Sequence, residues 1–398
     1  MRELFLLGAG ASVEAGIPDT YRMTELMLDK FKDLRRDRRI FKVLQFVVGG
    51  LLFQRGIHGE NPYGGVSIED LFNSVIMLAD RQNSEIGPFI SSWHPQIVGL
   101  ESGELSGRNA RELLGSIYEP VVKYMQDLAK NPQNRGAKKI DTFYYSSDFE
   151  YKFTSAVRQV MTGSEGKLFS TTAESMIQKL VDMVWIDDVN KVSYLIPLIS
   201  HAKEYGSYLT TLNYDNAIEL TGSNLGIEID TGFDSWSKSG DFLFTENRIP
   251  LLKLHGSIDW ALSDGQISKD KPIPFQIIQK VDLVSKEKRN FHPAVVFGGK
   301  NKLTAKGPFL SLLRAFDQQL SRSEILWVIG YSFRDEHVNE FIINWFNANP
   351  TRIIKIINPK PESMNHEFTR HFHGFANDRI IIIPESAANG INNFEYKQ

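Results

Sequence analysis

The sequence contains no cysteine. That absence removes disulfides, thiolate zinc sites and a cysteine nucleophile together, and it agrees with a reducing compartment, so a cytoplasmic protein is expected. Excess charge is missing as well. The formal net charge is -3 over 398 residues, which names neither nucleic acid nor an anionic membrane as partner. The densest basic run, Lys30 to Arg39, is broken by two aspartates and reads as a solvated helix face, which leaves direct nucleic-acid binding open. No internal repeat, low-complexity tract or run of ~18 uncharged apolar residues stands out, so a soluble chain without a membrane span is expected. Metal-ligand clusters are absent too: His371-Phe372-His373 has workable spacing but no third ligand nearby, and no metal is expected.

What is present is ordinary for a folded chain. Hydrophobic residues make up 42% and charged residues 23%, and the length allows a nucleotide-binding core plus a second lobe. Four apolar runs end in polar, turn-forming residues: Glu3 to Leu7 before GAGAS, Ser207 to Thr211 before LNYDN, Glu324 to Ile329 before GYSFRDEH, and Arg352 to Ile357 before NP. Such runs predict strands of a parallel sheet, whose ligands bind beyond the carboxyl ends. Between the first and second lies a region of helical periodicity. Ser67 to Asp70 resembles a capping box, and Leu113 to Leu128 and Ser175 to Trp185 carry apolar residues at three- and four-residue spacing. Loops near Gly56 to Gly65 and Asn131 to Gly136 are its expected breaks. The predicted fold is α/β: a Rossmann-like parallel sheet with helices on both faces, formed by residues 1–22 and 207–398. A mainly helical lobe, residues 23–206, is inserted in it.

Three strand ends carry candidate chemistry. The small residues of Gly8 to Ser12 let backbone N–H groups approach a pyrophosphate, although Val13 stands where a dinucleotide fingerprint has a third small residue. Ala15 to Asp19 adds a second tight turn, with Asp19 and Arg22 as polar groups near it. Asn213 and Asp215 close one strand; an Asx turn capping the next helix is the plainer alternative. His255 follows an apolar strand and precedes a glycine, where an imidazole faces a cleft, or is simply structural.

In order, GAGASxxAGIPD, TxNYD, KLHGSxDW, GYSxxDEH and INP resemble the sirtuin family, and within it the bacterial sirtuin-like NAD hydrolases of anti-phage defence. The resemblance implies that Gly8, Ala9, Gly10 and Ser12 hold the pyrophosphate. It places Asp19 and Arg22 on a loop over the cofactor, and it has Asn213 orient the attacking water or the nicotinamide ribose. Asp215 would hold the carboxamide and His255 act as general base. Gly330 and Ser332 would contact phosphate, and Asn358 the adenosine ribose. Two departures matter. Deacetylating sirtuins carry four zinc-binding cysteines after the histidine, and Ala261 to Lys306 has none, so deacetylation is not expected. Thr20 stands where the family loop has the phenylalanine that shields the oxocarbenium intermediate, a loss that fits hydrolysis, and the arginine of that loop is displaced by one, to Arg22.

The implied activity is NAD glycohydrolysis, with NAD as substrate. Nicotinamide leaves as a neutral base, so the protein must mainly position the ribose and deliver water. The alternatives are a module that senses NAD or ADP-ribose without cleaving it, which would need neither Asn213 nor His255, and a nuclease subunit, which would need metal ligands. Only about 40 residues follow the INP motif, too few for a further ordinary domain. Control is therefore expected from a homo-oligomer, and the resemblance implies a separately encoded, HerA-type ring ATPase as partner.

Overall fold

The structure is a computed structural model that describes residues 2–32, 38–58, 65–81, 167–269, 272–273, 275–281, 283, 293–295, 307–364, 369 and 378–393. The expected helix at 113–128, the loop at 131–136, His371 to His373 and part of the basic run at 30–39 lie outside these residues. The chain divides into two compact units. One comprises Met1–Leu26, Ser67–Asp70 and Ile177–Gln398; the other comprises Met27–Val66 and Leu71–Met176.

Strand β1 (Glu3–Leu7) leads into a 3-10 turn at Ala9–Ser12 and helices α1 (Thr20–Lys32), α2 (Arg38–Ile57), α3 (Ile68–Ala79) and α4 (Lys167–Val184). The capping box forms: Asp70 N–H donates to Ser67 Oγ at 3.1 Å. Helix α2 is long and apolar enough to cross a membrane by length and composition alone, a test that the core helix of a soluble protein also passes. Its charges sit near its two ends, leaving the middle apolar. A second 3-10 segment, Val189–Leu195, opens α5 (Ile196–Tyr205), followed by β2 (Tyr208–Thr211), α6 (Ala217–Asn224), β3 (Ile229–Asp230) and α7 (Phe233–Ser239). Next come β4 (Ile249–Lys253), β5 (Gly256–Asp264), β6 (Gln276–Lys280), β7 (Pro293–Val295) and α8 (Phe309–Ser321). The chain closes with β8 (Ile325–Ile329), α9 (Glu336–Ala348), β9 (Ile353–Ile357), β10 (Ile380–Ile383) and α10 (Ala387–Asn392).

Seven strands form one parallel sheet in the order β10-β9-β8-β1-β2-β4-β3. This is the Rossmann-like α/β fold that the sequence predicts, flanked by helices. The apolar runs are continuous because both faces of the sheet are covered, and all five residues of β8 are buried. Lys355 in β9 breaks the pattern. Its ammonium lies 4.5 Å from the centre of the Trp327 ring, and Glu3 accepts from both Trp327 Nε1 at 2.9 Å and His201 Nε2 at 2.6 Å.

The register carries the main consequence for a site. Lys253 pairs with Thr211, Thr211 with Leu7, Leu7 with Ile329, Ile329 with Ile357 and Ile357 with Ile383. Six strands thus stop in one row, and their next residues line one edge of the sheet. Succession reverses there: β2 and β4 build outward on one side of β1, while β8, β9 and β10 build on the other. Such a switch point is where open α/β sheets bind ligands.

Strand boundaries agree with the sequence to within a residue or two, except that the strand before His255 runs from Ile249 and stops at Lys253. A small antiparallel sheet, β6-β5-β7, begins at the residue after His255.

At the switch point β1 and β8 come into backbone contact. Gly8 N–H donates to Ile329 O at 2.9 Å, and Gly10 N–H donates to Gly330 O at 2.8 Å. Gly330 has φ +63°, and a β-carbon there would stand 2.2 Å from Ala11 N. An L side chain in this backbone region costs about 1–2 kcal/mol before any clash. Gly330→Ala is therefore expected to lower unfolding free energy by about 3 kcal/mol or more in urea titrations. Gly16→Ala, with φ +84° and open space around it, is expected to cost only about 1 kcal/mol. Equal losses at the two positions would remove the close approach as the cause.

Candidate functional site

The loop after β1 answers first to its neighbours. A β-carbon on Gly8 would lie 2.6 Å from Tyr331 Cα, and one on Gly10 would lie 2.8 Å from Gly330 O. Three N–H groups are committed to protein carbonyls, those of Gly8, Gly10 and Ala11, the last donating to Gly8 O at 2.9 Å. Small residues here let one strand-end loop lie against another. Tyr194 reaches the same loop, its hydroxyl donating to Ala11 O at 2.5 Å. Burial, then the charges of Asp215 and Glu14, hold that phenol far above its usual range, so it stays a donor.

Asn213 stands two residues beyond the end of β2 and is buried. Its Nδ2 donates to Gly8 O and to Ser12 Oγ, both at 2.9 Å, and its N–H donates to Thr211 Oγ1 at 3.0 Å. Both side-chain bonds are made by the amide nitrogen, so the acceptor Oδ1 is what this amide has to offer a ligand. Asn213, Ser12, Thr211 and Asp215 line a recess with room for about one water. Asp215 Oδ1 accepts from Ala217 N–H at 3.0 Å, which is the Asx turn named as the plainer reading. Asn216, next in sequence, clamps the backbone of Ile186: its Oδ1 accepts from Ile186 N–H and its Nδ2 donates to Ile186 O, both at 2.9 Å.

His255 lies two residues beyond β4 and is buried against the Tyr214 ring, centre to centre 6.1 Å. Its Nε2 meets Asp335 Oδ2 at 2.8 Å. Asp335 was not among the residues singled out in the sequence, where it stands as one acid of GYSFRDEH. Its other oxygen caps α9, accepting from the N–H groups of His337 at 3.1 Å and Val338 at 3.3 Å. Its own N–H donates to the Tyr331 hydroxyl at 3.0 Å, and that hydroxyl donates to Asn339 Oδ1 at 2.8 Å. Burial above all, with the nearby charges of Glu69 and Asp335, pushes the phenols of Tyr214 and Tyr331 well above their ordinary value. Glu69 also hydrogen-bonds Tyr214, bringing the first turn of α3 to this cluster.

Beneath both groups lies a buried ion pair. Lys253, fully buried, donates to Glu219 Oε1 at 2.7 Å and to Asp215 O at 2.6 Å. Burial works against the ammonium, but the charges of Glu219, Asp259 and Asp215 and the bond to Glu219 outweigh it and hold Lys253 above the ordinary lysine value. The lysine ties the end of β4 to the backbone carrying Asp215.

The remaining expected residues are distributed unevenly. Gly330 and Ser332 follow β8 and Asn358 follows β9, on the same edge. Asn358 Oδ1 accepts from Lys360 N–H at 2.9 Å in a turn of its own. Asp19 serves as the N-terminal cap of α1, accepting from Tyr21 and Arg22 N–H at 3.0 and 2.8 Å. Arg22 is 56% exposed and paired with Glu25, so this structure does not join it to the strand-end cluster. Among the described residues no group of three or more histidines and carboxylates is arranged to hold a metal.

Removing one partner of a buried pair strands the other's charge. Lys253→Met is expected to cost about 3–5 kcal/mol in denaturant unfolding, and Lys253→Met with Glu219→Leu to recover much of that loss. Simple additivity of the two substitutions would show that the pair is not coupled.

No curated protein matches the chain. Among solved structures, one determined in work on sirtuin substrate affinity is 13% identical and covers 100% of this chain and 93% of its own, with a TM-score of 0.37. Sir2Tm bound to a propionylated peptide is 13% identical over 58% of this chain and 81% of its own, with a TM-score of 0.34. A Sir2 complex with a p53 peptide and NAD+ is 11% identical over 67% and 85%, with a TM-score of 0.31. Residues 207–374, which hold Asn213, His255, Asp335 and Asn358, match the family model of a SIR2-like domain.

Proposed function

We propose that the chain cleaves NAD to nicotinamide and ADP-ribose at the strand ends carrying Asn213 and His255. One observation supports this reading above others. In the paired strands β2 and β4, Thr211 and Lys253 share the terminal row, and an amide and an imidazole each follow two residues later within the SIR2-like segment. Glycosidic cleavage of NAD asks little more, because the leaving group is neutral and the developing oxocarbenium needs a positioned ribose and a water. Asn213 Oδ1 orients that water or the nicotinamide ribose, and His255 accepts its proton. Asp215 receives the carboxamide through whatever acceptor capacity its Asx turn leaves. Gly8, Ala9, Gly10, Ser12, Gly330 and Ser332 border the pyrophosphate, and Asn358 the adenosine ribose. Asp19 and Arg22 contribute only where substrate replaces their present partners.

The decisive experiment follows nicotinamide release from NAD by the purified chain. Asn213→Ala and His255→Ala are each expected to reduce release by at least ~100-fold with the fold retained by circular dichroism, and EDTA to leave the rate unchanged. Binding of NAD without cleavage would favour a sensing module instead. Unchanged turnover in either variant would remove that residue from the mechanism.

An unrestrained hydrolase would exhaust its host's cofactor, so we propose that activity is gated by assembly. The second unit presents Phe53 and Ile57 on α2 and Met77 on α3, which are 72%, 67% and 64% exposed. Large exposed apolar side chains of this kind suit a subunit interface. The assembly proposed is a homo-oligomer that a HerA-type ATPase joins in anti-phage defence, the latter resting on resemblance alone. Light scattering is expected to show a mass above one chain. A monomer hydrolysing NAD at full rate without a partner would overturn the gating.

A further inference from the structure

We infer that Asp335 is a positioning residue that fixes the tautomer of His255, making Nδ1 the basic nitrogen of the ring. The inference rests on the reading of His255 as general base and adds which atom of it accepts the proton.

The two oxygens of the Asp335 carboxylate have different partners. Oδ2 lies 2.8 Å from His255 Nε2, and both side chains are almost wholly buried. Oδ1 is held by two backbone N–H groups at the start of α9. A helix of 13 residues follows, so its N-terminal donors favour the ionised carboxylate, which has no proton to give. Of the two groups, only the imidazole can then be the donor. A neutral ring that donates from Nε2 keeps its acceptor lone pair on Nδ1. The backbone adds rigidity: Asp335 N–H is held by the Tyr331 hydroxyl, itself bonded to Asn339, whose Nδ2 donates to Phe333 O at 2.8 Å. Asp335 therefore has little freedom to release the ring. During hydrolysis Nδ1 takes the proton from the attacking water as the glycosidic C–N bond breaks. The transient imidazolium faces a fixed negative charge across Nε2, and nicotinamide leaves neutral.

The test uses the full chain labelled with 15N-histidine and a substitution that preserves the cap. In Asp335→Asn the side-chain oxygen still accepts from the N–H groups of His337 and Val338, so its NH2 group faces the imidazole. The ring must then accept at Nε2 and carry its proton on Nδ1. Long-range 1H–15N spectra distinguish the two tautomers, with the His255 signal identified by its loss in His255→Gln. Wild type is expected to show the Nε2–H form, and Asp335→Asn the Nδ1–H form with kcat lower by at least ~100-fold and KM within a few-fold. A wild-type ring protonated on Nδ1 would overturn the inference, and so would a tautomer and kcat unchanged in Asp335→Asn. Should that variant not fold, the wild-type spectrum alone still decides. The expected tautomers in a chain that does not cleave NAD would uphold the positioning and sink the proposed activity.

Discussion

Everything at the candidate site depends on how closely two backbones approach at the switch point. Gly8 and Gly10 lie against Gly330, with hydrogen bonds joining the loops directly and no room for a β-carbon between them. That contact continues the pairing of β1 with β8 beyond the last strand residues. Since β1 also pairs with β2, and β2 with β4, it fixes the row from which Asn213 and His255 project. The glycines of GAGAS thus have a structural task that precedes any contact with a phosphate.

A second layer of order comes from charge. Isolated buried charges are costly, and two ionic groups near the strand ends have partners that offset that cost. Lys253 lies between Glu219 and the carbonyl of Asp215, while Asp335 is divided between an imidazole and a helix terminus. Both arrangements tie a strand end to the start of the helix beside it. The polar residues of the motifs are therefore as much the mortar of this edge as its chemistry.

The parallel strands were legible in the sequence because a sheet covered on both faces writes itself as unbroken apolar runs, as in ILWVI and IIKII. Asn213 and His255 were legible for a related reason, since a polar residue at the end of such a run has nowhere to go but the edge. The other features depend on distant partners. Nothing local marks Asp335 as different from Glu336 beside it; only folding brings it to a histidine 80 positions earlier. Glu69 reads as one acid in a helix cap, and its tie to Tyr214 crosses a long span of sequence. Lys253 reads as a charged residue at a strand end, where exposure is the ordinary outcome, yet it is fully buried. Arg22 gains a partner that its motif does not announce, Glu25 on the adjacent turn of helix.

The double duty of Asp335 joins two events that are usually separate. Its two oxygens belong to one rigid plane, so a rotation that releases the imidazole also withdraws the cap from α9. Fraying of that helix end and loss of the ring's orientation are then a single opening, with a single free energy. The amides of His337 and Val338 would report it through exchange protection set by that opening free energy. The ring's orientation would in this way be only as stable as the end of a helix that contributes none of the proposed catalytic groups.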